Sequence, residues 1–192
     1  MIQGNRVTLK VLEQQDMQPL LDLVDNPDVS RLMIYNKADF TVNNIHNLLL
    51  QTAPGTQCLS FGIYRNDTGA FIGFVCINDI HPVNRVANLR FLAIDPSCWN
   101  EGYAEVAGDG FIRHLFLDRN IRRITATSSA GNETIEAIFR NGGFKHEGTD
   151  RKSIFIDGKW TSVKRWGLMK KEFAWDFYNT EADEEEEEDG KD

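Results

Sequence analysis

The sequence predicts a single α/β domain built on one twisted sheet. Its 192 residues are 41% hydrophobic, which is enough for one substantial core. Apolar residues alternate with polar ones in several short segments, as in half-buried strands, and recur at helical spacing in others. These segments follow one another as strand, helices, strands, helix, strand, helix and strands, without an internal repeat. This order is typical of a mixed sheet with helices packed against it.

The first element is a strand, and helices follow it. Residues 6–12 alternate apolar and polar side chains, so we expect a half-buried strand there. Asp16 is a suitable N-cap for a helix through residue 24, whose apolar side chains fall on one stripe. The spacing predicts a shorter helical segment over residues 29–33 and a longer helix over residues 41–52.

Three strands are expected in the middle of the chain. The first two, at residues 59–64 and 71–77, are separated by an Asn-Asp-Thr-Gly turn at residues 66–69, which favours a hairpin. Residues 78–85 are expected to form a longer loop. Residues 86–94 then form the third strand, and its centre is apolar enough to be covered on both faces.

Two helices, one strand and a hairpin are expected in the C-terminal part. The pattern predicts a long amphipathic helix at residues 102–117 and a strand at residues 123–128. Asn132 is a suitable cap for the next helix, which ends at residues 142–143, both glycine. The last expected elements are a hairpin of residues 152–156 and 163–169 and a short helix over residues 170–178.

The net charge of −8 is concentrated at the C-terminus. Residues 181–192 hold nine of the 29 acidic residues and one of the 21 basic ones, so residues 1–180 are neutral. A neutral body is a poor match for a protein that holds nucleic acid by neutralising phosphates. We expect a domain over residues 1–178 and a disordered acidic tail over residues 179–192. The tail could aid solubility or recruit a basic partner such as a ribosomal protein.

Several other classes of protein are excluded by the sequence. No apolar run approaches the roughly 20 residues that span a bilayer, and the N-terminus lacks the layout of a signal peptide. Cys58, Cys76 and Cys98 are far apart and form no CxxC pair, which argues against a disulfide framework or a zinc site. We therefore expect a cytoplasmic protein that binds no metal, nucleic acid or membrane.

The segment that carries chemistry is the junction between the third strand of the middle region and the long helix. Gly102 lies at the start of that helix, where the first-turn N–H groups lack backbone acceptors and carry partial positive charge. A glycine there allows a ligand to approach the backbone, which suits a diphosphate. The same pattern also fits an ordinary strand-to-helix turn. A Rossmann site is disfavoured because G-x-G-x-x-G is absent.

Four segments together resemble a known family. The stretch Trp-Asn-Glu-Gly-Tyr-Ala at residues 99–104 resembles the acyl-CoA loop of the GCN5-related N-acetyltransferases (GNAT). The most similar branch includes the ribosomal-protein N-terminal and spermidine acetyltransferases. Residues 132–144 resemble the branch's asparagine-containing helix that ends in Gly-Phe. The first strand with Asp16 and the terminal hairpin also resemble that branch, so the likeness covers roughly residues 4–173.

The resemblance implies a fold, a cofactor and an activity. It implies one domain with a mostly antiparallel sheet, helices on both faces and a splayed central strand pair. It implies transfer of an acetyl group from acetyl-CoA to a primary amine, on a protein N-terminus, a polyamine or a small molecule, by a monomer or homodimer. The residues that it assigns to acetyl-CoA are Leu92, Ala93, Ile94, Trp99, Asn100, Glu101, Gly102, Tyr103, Ala104 and Asn132.

The sequence departs from the family at the positions that handle protons. Phe139 stands where many relatives have a tyrosine that protonates the leaving thiolate, and Ile135 stands where some have a serine. Asn88 stands where a glutamate often takes the proton of the amine. The resemblance therefore leaves the general acid and the general base unassigned.

Three interpretations of these departures remain open. Solvent could protonate the thiolate, since a general acid or base contributes only about 10²–10⁴-fold to the rate. Alternatively, Asp79, His81 or Ser128 could act in place of the usual groups. The domain could also bind acyl-CoA or a protein partner without transferring the acetyl group.

Overall fold

A computed structural model describes residues 1–34, 57–156 and 158–174. In these ranges the chain forms one eight-stranded sheet with the order β1-β2-β3-β4-β5-β6-β8-β7. The strands are β1 (Ile2–Gln3), β2 (Val7–Val11), β3 (Gln57–Arg65), β4 (Phe71–His81), β5 (Val86–Ile94), β6 (Arg123–Ser129), β7 (Lys145–Ile156) and β8 (Lys159–Met169). The pair β5–β6 is parallel and the other described pairs are antiparallel. The expected α/β fold with a mostly antiparallel sheet is confirmed.

Helices cover both faces of the sheet. They are α1 (Met17–Asp25), α2 (Pro27–Ser30), α3 (Tyr103–Leu117) and α4 (Glu133–Asn141). Side chains of α3 and α4 pack into the larger hydrophobic core, and side chains of α1 and α2 pack into a smaller core on the opposite face. The helix predicted over residues 41–52 lies outside the described residues. Within the described ranges, no helix combines the length and the apolarity that crossing a bilayer requires.

The start of α1 differs from the prediction. A 3-10 turn, Gln14–Asp16, precedes the helix, and the Asp16 carboxylate accepts a hydrogen bond from the backbone N–H of Glu13 at 2.8 Å. Asp16 therefore closes the turn before α1 and does not cap α1 with its side chain. Sequence spacing did not show the extra turn because a 3-10 turn has no apolar periodicity of its own.

Strand β4 is longer than predicted, so the first half of the expected loop at residues 78–85 is strand. Asn78 pairs with Asn88 and His81 pairs with Val86, which carries the ladder to the end of the strand. Asp79 has a φ of 51°, and the register shifts between Asn78 and His81. The bulge and the polar side chains hid this part of the strand from the hydrophobic pattern.

The C-terminal hairpin is also longer than predicted. Strand β7 begins at Lys145, and register shifts at two places along it interrupt the alternation that identifies strands from sequence. The helix expected from residue 170 begins instead as a 3-10 turn, Lys170–Glu172, whose glutamate accepts a hydrogen bond from the Met169 N–H. Residues 175–178 lie outside the described part of the chain.

The central strand pair separates along its length. The parallel ladder between β5 and β6 runs from the Val86–Arg123 pair to the Leu89–Ala126 pair and then stops. Both strands continue beyond it, β5 to Ile94 and β6 to Ser129. The splayed pair implied by the resemblance is therefore present.

Candidate functional site

A cavity of about 350 Å³ lies where β5 and β6 separate. Beyond Leu89, no ladder joins the edge of β5 to β6, so backbone groups on that edge are open to an extended ligand. The lining comes from β5, the loop before α3, the first turn of α3, the inner face of α4 and the residues in and after α2. The cavity therefore offers one strand edge, one helix N-terminus and a mostly apolar wall.

A bulge at Arg90 changes which side of β5 faces each core. Cys76 pairs with Phe91 and Ile77 pairs with Leu89, which leaves Arg90 as an extra residue. Ala87 and Leu89 accordingly pack in the larger core, whereas Phe91 and Ala93 pack in the smaller one. A regular strand would place all four on one face. The bulge lies where the strands begin to separate, and Arg90 itself lines the cavity.

The loop between β5 and α3 is fixed by its own side chains. The Asp95 carboxylate accepts the Ser97 N–H at 2.8 Å and caps the 3-10 turn Pro96–Cys98. The indole N–H of Trp99 donates to the carbonyl oxygen of Ile94 at 2.8 Å, so the loop folds back onto the end of β5. Trp99 thereby closes one end of the cavity, which it lines.

The loop ends at Gly102, which has a φ of +78° and begins α3 without a side-chain cap. The first-turn N–H groups of α3 therefore have no intrahelical acceptor, and they carry the partial positive charge of the helix N-terminus. Gly102, Tyr103 and Ala104 line the cavity. This arrangement suits an anionic group such as a diphosphate.

Most of the residues assigned to acetyl-CoA from the sequence come together at this cavity. The residues that line it are Leu92, Ala93, Ile94, Trp99, Asn100, Gly102, Tyr103 and Ala104. Glu101 and Asn132 are outside the lining. The carbonyl of Glu101 instead accepts a hydrogen bond from Arg6, and the amide of Asn132 has two structural contacts.

Asn132 holds the wall of the cavity in place. Its side-chain oxygen accepts the Ile135 N–H at 3.3 Å and caps α4, while its amide donates to the carbonyl of Leu32 at 3.2 Å. It therefore connects α4 to the segment after α2, and both elements line the cavity. The helix cap predicted for Asn132 from its sequence position is therefore present.

The positions at which the family resemblance places proton donors are apolar parts of the wall. Ile135 and Phe139 both line the cavity. The Phe139 ring is 8% exposed and packs 5.3 Å from the Phe144 ring and 5.7 Å from the Trp166 ring, centroid to centroid. Neither side chain can donate a proton to a ligand in this cavity.

The three catalytic candidates named from the sequence are outside the cavity lining. Asp79 is at the bulge of β4, and the Nδ1 of His81 accepts the Asn84 N–H at 3.1 Å. Ser128 is 1% exposed, and its Oγ accepts the indole N–H of Trp166 at 2.9 Å. In the described part of the chain, Asp79 and His81 therefore belong to the bulge and the turn at the end of β4, and Ser128 belongs to the core.

A buried carboxylate supports α4 from within. Glu136 is 4% exposed and is bonded by the Lys164 ammonium at 2.6 Å, the Gly131 N–H at 3.1 Å and the Arg140 guanidinium at 3.5 Å. The Lys164 hydrogen bond is the main reason that the pKa of Glu136 lies below its ordinary value. The sequence position of Glu136 did not indicate this role, because its main partner, Lys164, lies on β8.

Glu136 should make part of the stability depend on acid pH. A carboxylate whose folded-state pKa is depressed stabilises the fold above its unfolded pKa of about 4.3, and this stabilisation is lost as the pH falls through the folded value. We expect Glu136→Gln to be less stable than wild type at neutral pH, with the difference shrinking below about pH 4.3. Urea unfolding at several pH values measures this. Glu133→Gln, an exposed position on the same helix, is the control; equal behaviour of the two variants would contradict the assignment.

The splayed strands and the uncapped start of α3 together form the candidate site of this fold. The sequence profile of the GNAT acetyltransferase domain matches residues 6–145. The chain therefore belongs to the GNAT acetyltransferase family, which confirms the resemblance seen in the sequence.

Curated relatives carry the same family name. The chain is 26% identical over 177 residues to p20 of Bacillus licheniformis, an uncharacterized N-acetyltransferase, covering 88% of this chain and 96% of that protein. It is 24% identical over 176 residues to YdaF of Bacillus subtilis (strain 168), whose name assigns it provisionally as a ribosomal N-acetyltransferase, covering 88% and 94%.

Solved structures share the fold. One is the spermidine N-acetyltransferase from Vibrio cholerae in complex with CoA and spermine, with a TM-score of 0.76, 19% identity and coverage of 88% of this chain and 98% of that one. Another is a GNAT-family acetyltransferase from Bacillus anthracis, with a TM-score of 0.73, 17% identity and coverage of 89% and 99%. Family and relatives together support an acetyltransferase that acts on amines.

Proposed function

We propose that the protein transfers an acetyl group from acetyl-CoA to a primary amine. The observation that carries this proposal is the cavity between the splayed β5 and β6, which reaches the uncapped N-terminus of α3 at Gly102. An extended thioester arm fits an open strand edge, and a diphosphate fits a helix N-terminus. One ligand class, an acyl-CoA, presents both groups at opposite ends of a flexible arm.

Each part of the cavity has a proposed role toward acetyl-CoA. The edge of β5 at Leu92, Ala93 and Ile94 hydrogen-bonds the arm through its backbone. The loop residues Trp99, Asn100, Glu101, Gly102, Tyr103 and Ala104 enclose the diphosphate. Asn132 belongs to the site through the cap that it forms on α4.

The proposed reaction is direct transfer in a ternary complex. The amine nitrogen attacks the thioester carbonyl carbon, a C–N bond forms, the C–S bond breaks, and the products are an amide and the CoA thiol. The nitrogen loses one proton to solvent and the thiolate gains one. The described lining of the cavity contains no histidine, and the carboxylate that it contains, that of Glu105 on α3, is exposed. We therefore assign catalysis to the positioning of the two substrates.

The described side chains favour an acceptor with a single amine. Arg90 lines the cavity, and the register partners Asn78 on β4 and Asn88 on β5 are uncharged, so these two positions offer no carboxylate to a second ammonium group. Residues 35–56, outside the described part of the chain, hold one acid, Asp39, and one lysine, Lys37. A protein N-terminus or a small-molecule monoamine therefore ranks above a polyamine.

A second candidate function is binding of CoA or a protein partner without transfer. The apolar residues Phe139 and Ile135 in the wall favour it, because the usual proton donors are replaced. Retention of the glycine turn and the open strand edge favours transfer.

Two measurements test the proposal. Acetyl-CoA should raise the thermal midpoint of unfolding, and an amine panel should release CoA thiol, detected with a thiol reagent. Stabilisation without thiol release from any amine would favour the binding function. The absence of any stabilisation would contradict both functions.

We extend the proposal to the organisation of the whole chain. Residues 1–178 form the catalytic domain as a monomer or homodimer, and residues 179–192 form an acidic appendage. The reduced thiols of Cys58, Cys76 and Cys98 suit the cytoplasm, where disulfides are rare.

A further inference from the structure

We infer that Arg6, on the sheet edge next to β2, is a positioning residue that sets the shape of the cofactor loop and hence the affinity for CoA. The inference rests on the proposed function of that loop. Arg6 is exposed, and it is outside the described lining of the cavity. It therefore acts through the loop, and its effect can be measured separately from that of lining residues.

The loop has a conformation that needs support. Asn100 has a φ of 62° and Gly102 a φ of 78°, so two of three consecutive residues adopt the left-handed region. Glycine and asparagine are the residues that adopt this region most readily, so they permit the loop geometry, and contacts from neighbouring structure select it. Gly102 supplies no side-chain cap that would fix the start of α3.

Arg6 contacts the chain on both sides of Gly102. Its Nη1 donates a hydrogen bond to the carbonyl oxygen of Glu101, immediately before the glycine. Its guanidinium carbon lies 4.3 Å from the ring centroid of Tyr103, immediately after the glycine. One rigid, planar side chain thus fixes the direction from which the loop enters α3, through a hydrogen bond and a cation–π contact.

Arg6 is itself held by the turn between β3 and β4. The N–H of Asn66 donates to the carbonyl of Arg6 at 3.0 Å, and the Asn66 amide donates to the carbonyl of Gly4 at 2.9 Å. Arg65 places its guanidinium 5.4 Å from the same Tyr103 ring and is oriented by two hydrogen bonds to Asp67. The sheet edge therefore provides a fixed base for the loop.

The burial of Tyr103 explains how the contact is transmitted. Tyr103 is 5% exposed and packs in the larger core, while its backbone forms the first position of α3. When Arg6 holds this ring and the Glu101 carbonyl, the N–H groups of residues 103–105 keep one orientation. Without Arg6, we expect the same N–H groups to sample several orientations and to bind an anion less tightly, since the ligand must then order them.

The test compares three variants of one strand region. Arg6→Met keeps the length of the side chain and removes its donors, and Arg6→Lys keeps the charge as a single donor group. Lys10→Met is the matched control, because Lys10 is exposed on β2 and lies 4.7 Å from the Tyr64 ring, but has no described contact with the loop. Calorimetry with CoA should give a Kd about tenfold higher for Arg6→Met, an intermediate value for Arg6→Lys, and a value within about twofold of wild type for Lys10→Met.

Two further readouts distinguish positioning from other roles. In the free protein, hydrogen exchange at amides 100–106 should become faster in Arg6→Met and stay unchanged in Lys10→Met. Dephospho-CoA should show the same ratio of affinities between wild type and Arg6→Met as CoA does. Unchanged exchange would overturn the inference, and so would a loss confined to CoA, because Arg6 would then contact the 3′-phosphate directly. Wild-type protein that binds no CoA, with the exchange difference present, would overturn the proposed function and leave the loop contact established.

Discussion

Gly102→Glu is expected to abolish CoA binding while the chain remains folded. At a φ of +78° a side chain costs about 1–2 kcal/mol, which is a fraction of a typical domain stability. An added Cβ would meet the nearest described atom, a guanidinium nitrogen of Arg6, at 3.6 Å, which is an ordinary contact. The introduced carboxylate would instead occupy the helix N-terminus and repel a diphosphate. Calorimetry should show at least a hundredfold loss of affinity, about 2.7 kcal/mol.

The matched control for this variant is Gly158→Glu. Gly158 has a φ of +75° in the β7–β8 turn, and nothing lies within 4 Å of the position of its Cβ. The backbone penalty is therefore similar, and both variants should show a comparable fall in the unfolding midpoint. If both variants bound CoA as wild type does, the diphosphate would not lie at Gly102.

The second large effect is expected from Asn88→Glu, which places a carboxylate where relatives have a proton acceptor. Asn88 is half-buried on β5 and pairs with Asn78 on one side and Thr125 on the other. Its neighbours Ala87 and Leu89 face the larger core, so Asn88 faces the opposite side of the sheet. We propose that the amine approaches the thioester from that side. A general base contributes about 10²–10⁴-fold, so kcat/KM for a monoamine at pH 7 should rise by about tenfold or more.

Asn88→Gln is the control because it lengthens the side chain without adding a base. It should leave kcat/KM near the wild-type value, and the KM for acetyl-CoA should be similar in all three proteins. Equal values of kcat/KM in Asn88→Glu and Asn88→Gln would show that the side chain at position 88 does not reach the amine. The acceptor would then approach from another face of the cavity.

The sequence predicted the helices and strands whose pattern lies entirely in neighbouring residues. Strand β5 and helix α3 were expected almost at their observed ends, because an apolar strand, an Asp-Pro stop and a glycine follow one another within a short stretch. Most of the residues that the resemblance assigns to acetyl-CoA belong to that stretch, and their contact with the cofactor stays a prediction. The asparagine cap of α4 was also predicted from neighbouring residues.

Contacts between distant parts of the chain were not predictable in this way. Arg6 and Glu101 are 95 residues apart, and Glu136 depends on Lys164, 28 residues away. The bulge at Arg90 was hidden too, because residues 87, 89, 91 and 93 are all apolar and continue a regular alternation. Only the pairing partners of β5 show that this alternation serves two different cores.

The extra residue at Arg90 has a consequence for how this strand can change during evolution. Deleting Arg90 would remove the extra residue and would leave Leu89, paired with Ile77, directly before Phe91, paired with Cys76, so both side chains would keep the cores that they occupy now. A deletion at another position of β5 would instead move the following side chains to the other face of the sheet. We therefore expect the two cores to tolerate a one-residue gap at Arg90 better than a gap elsewhere in β5, and sequence alignments of this region must count residues from the bulge.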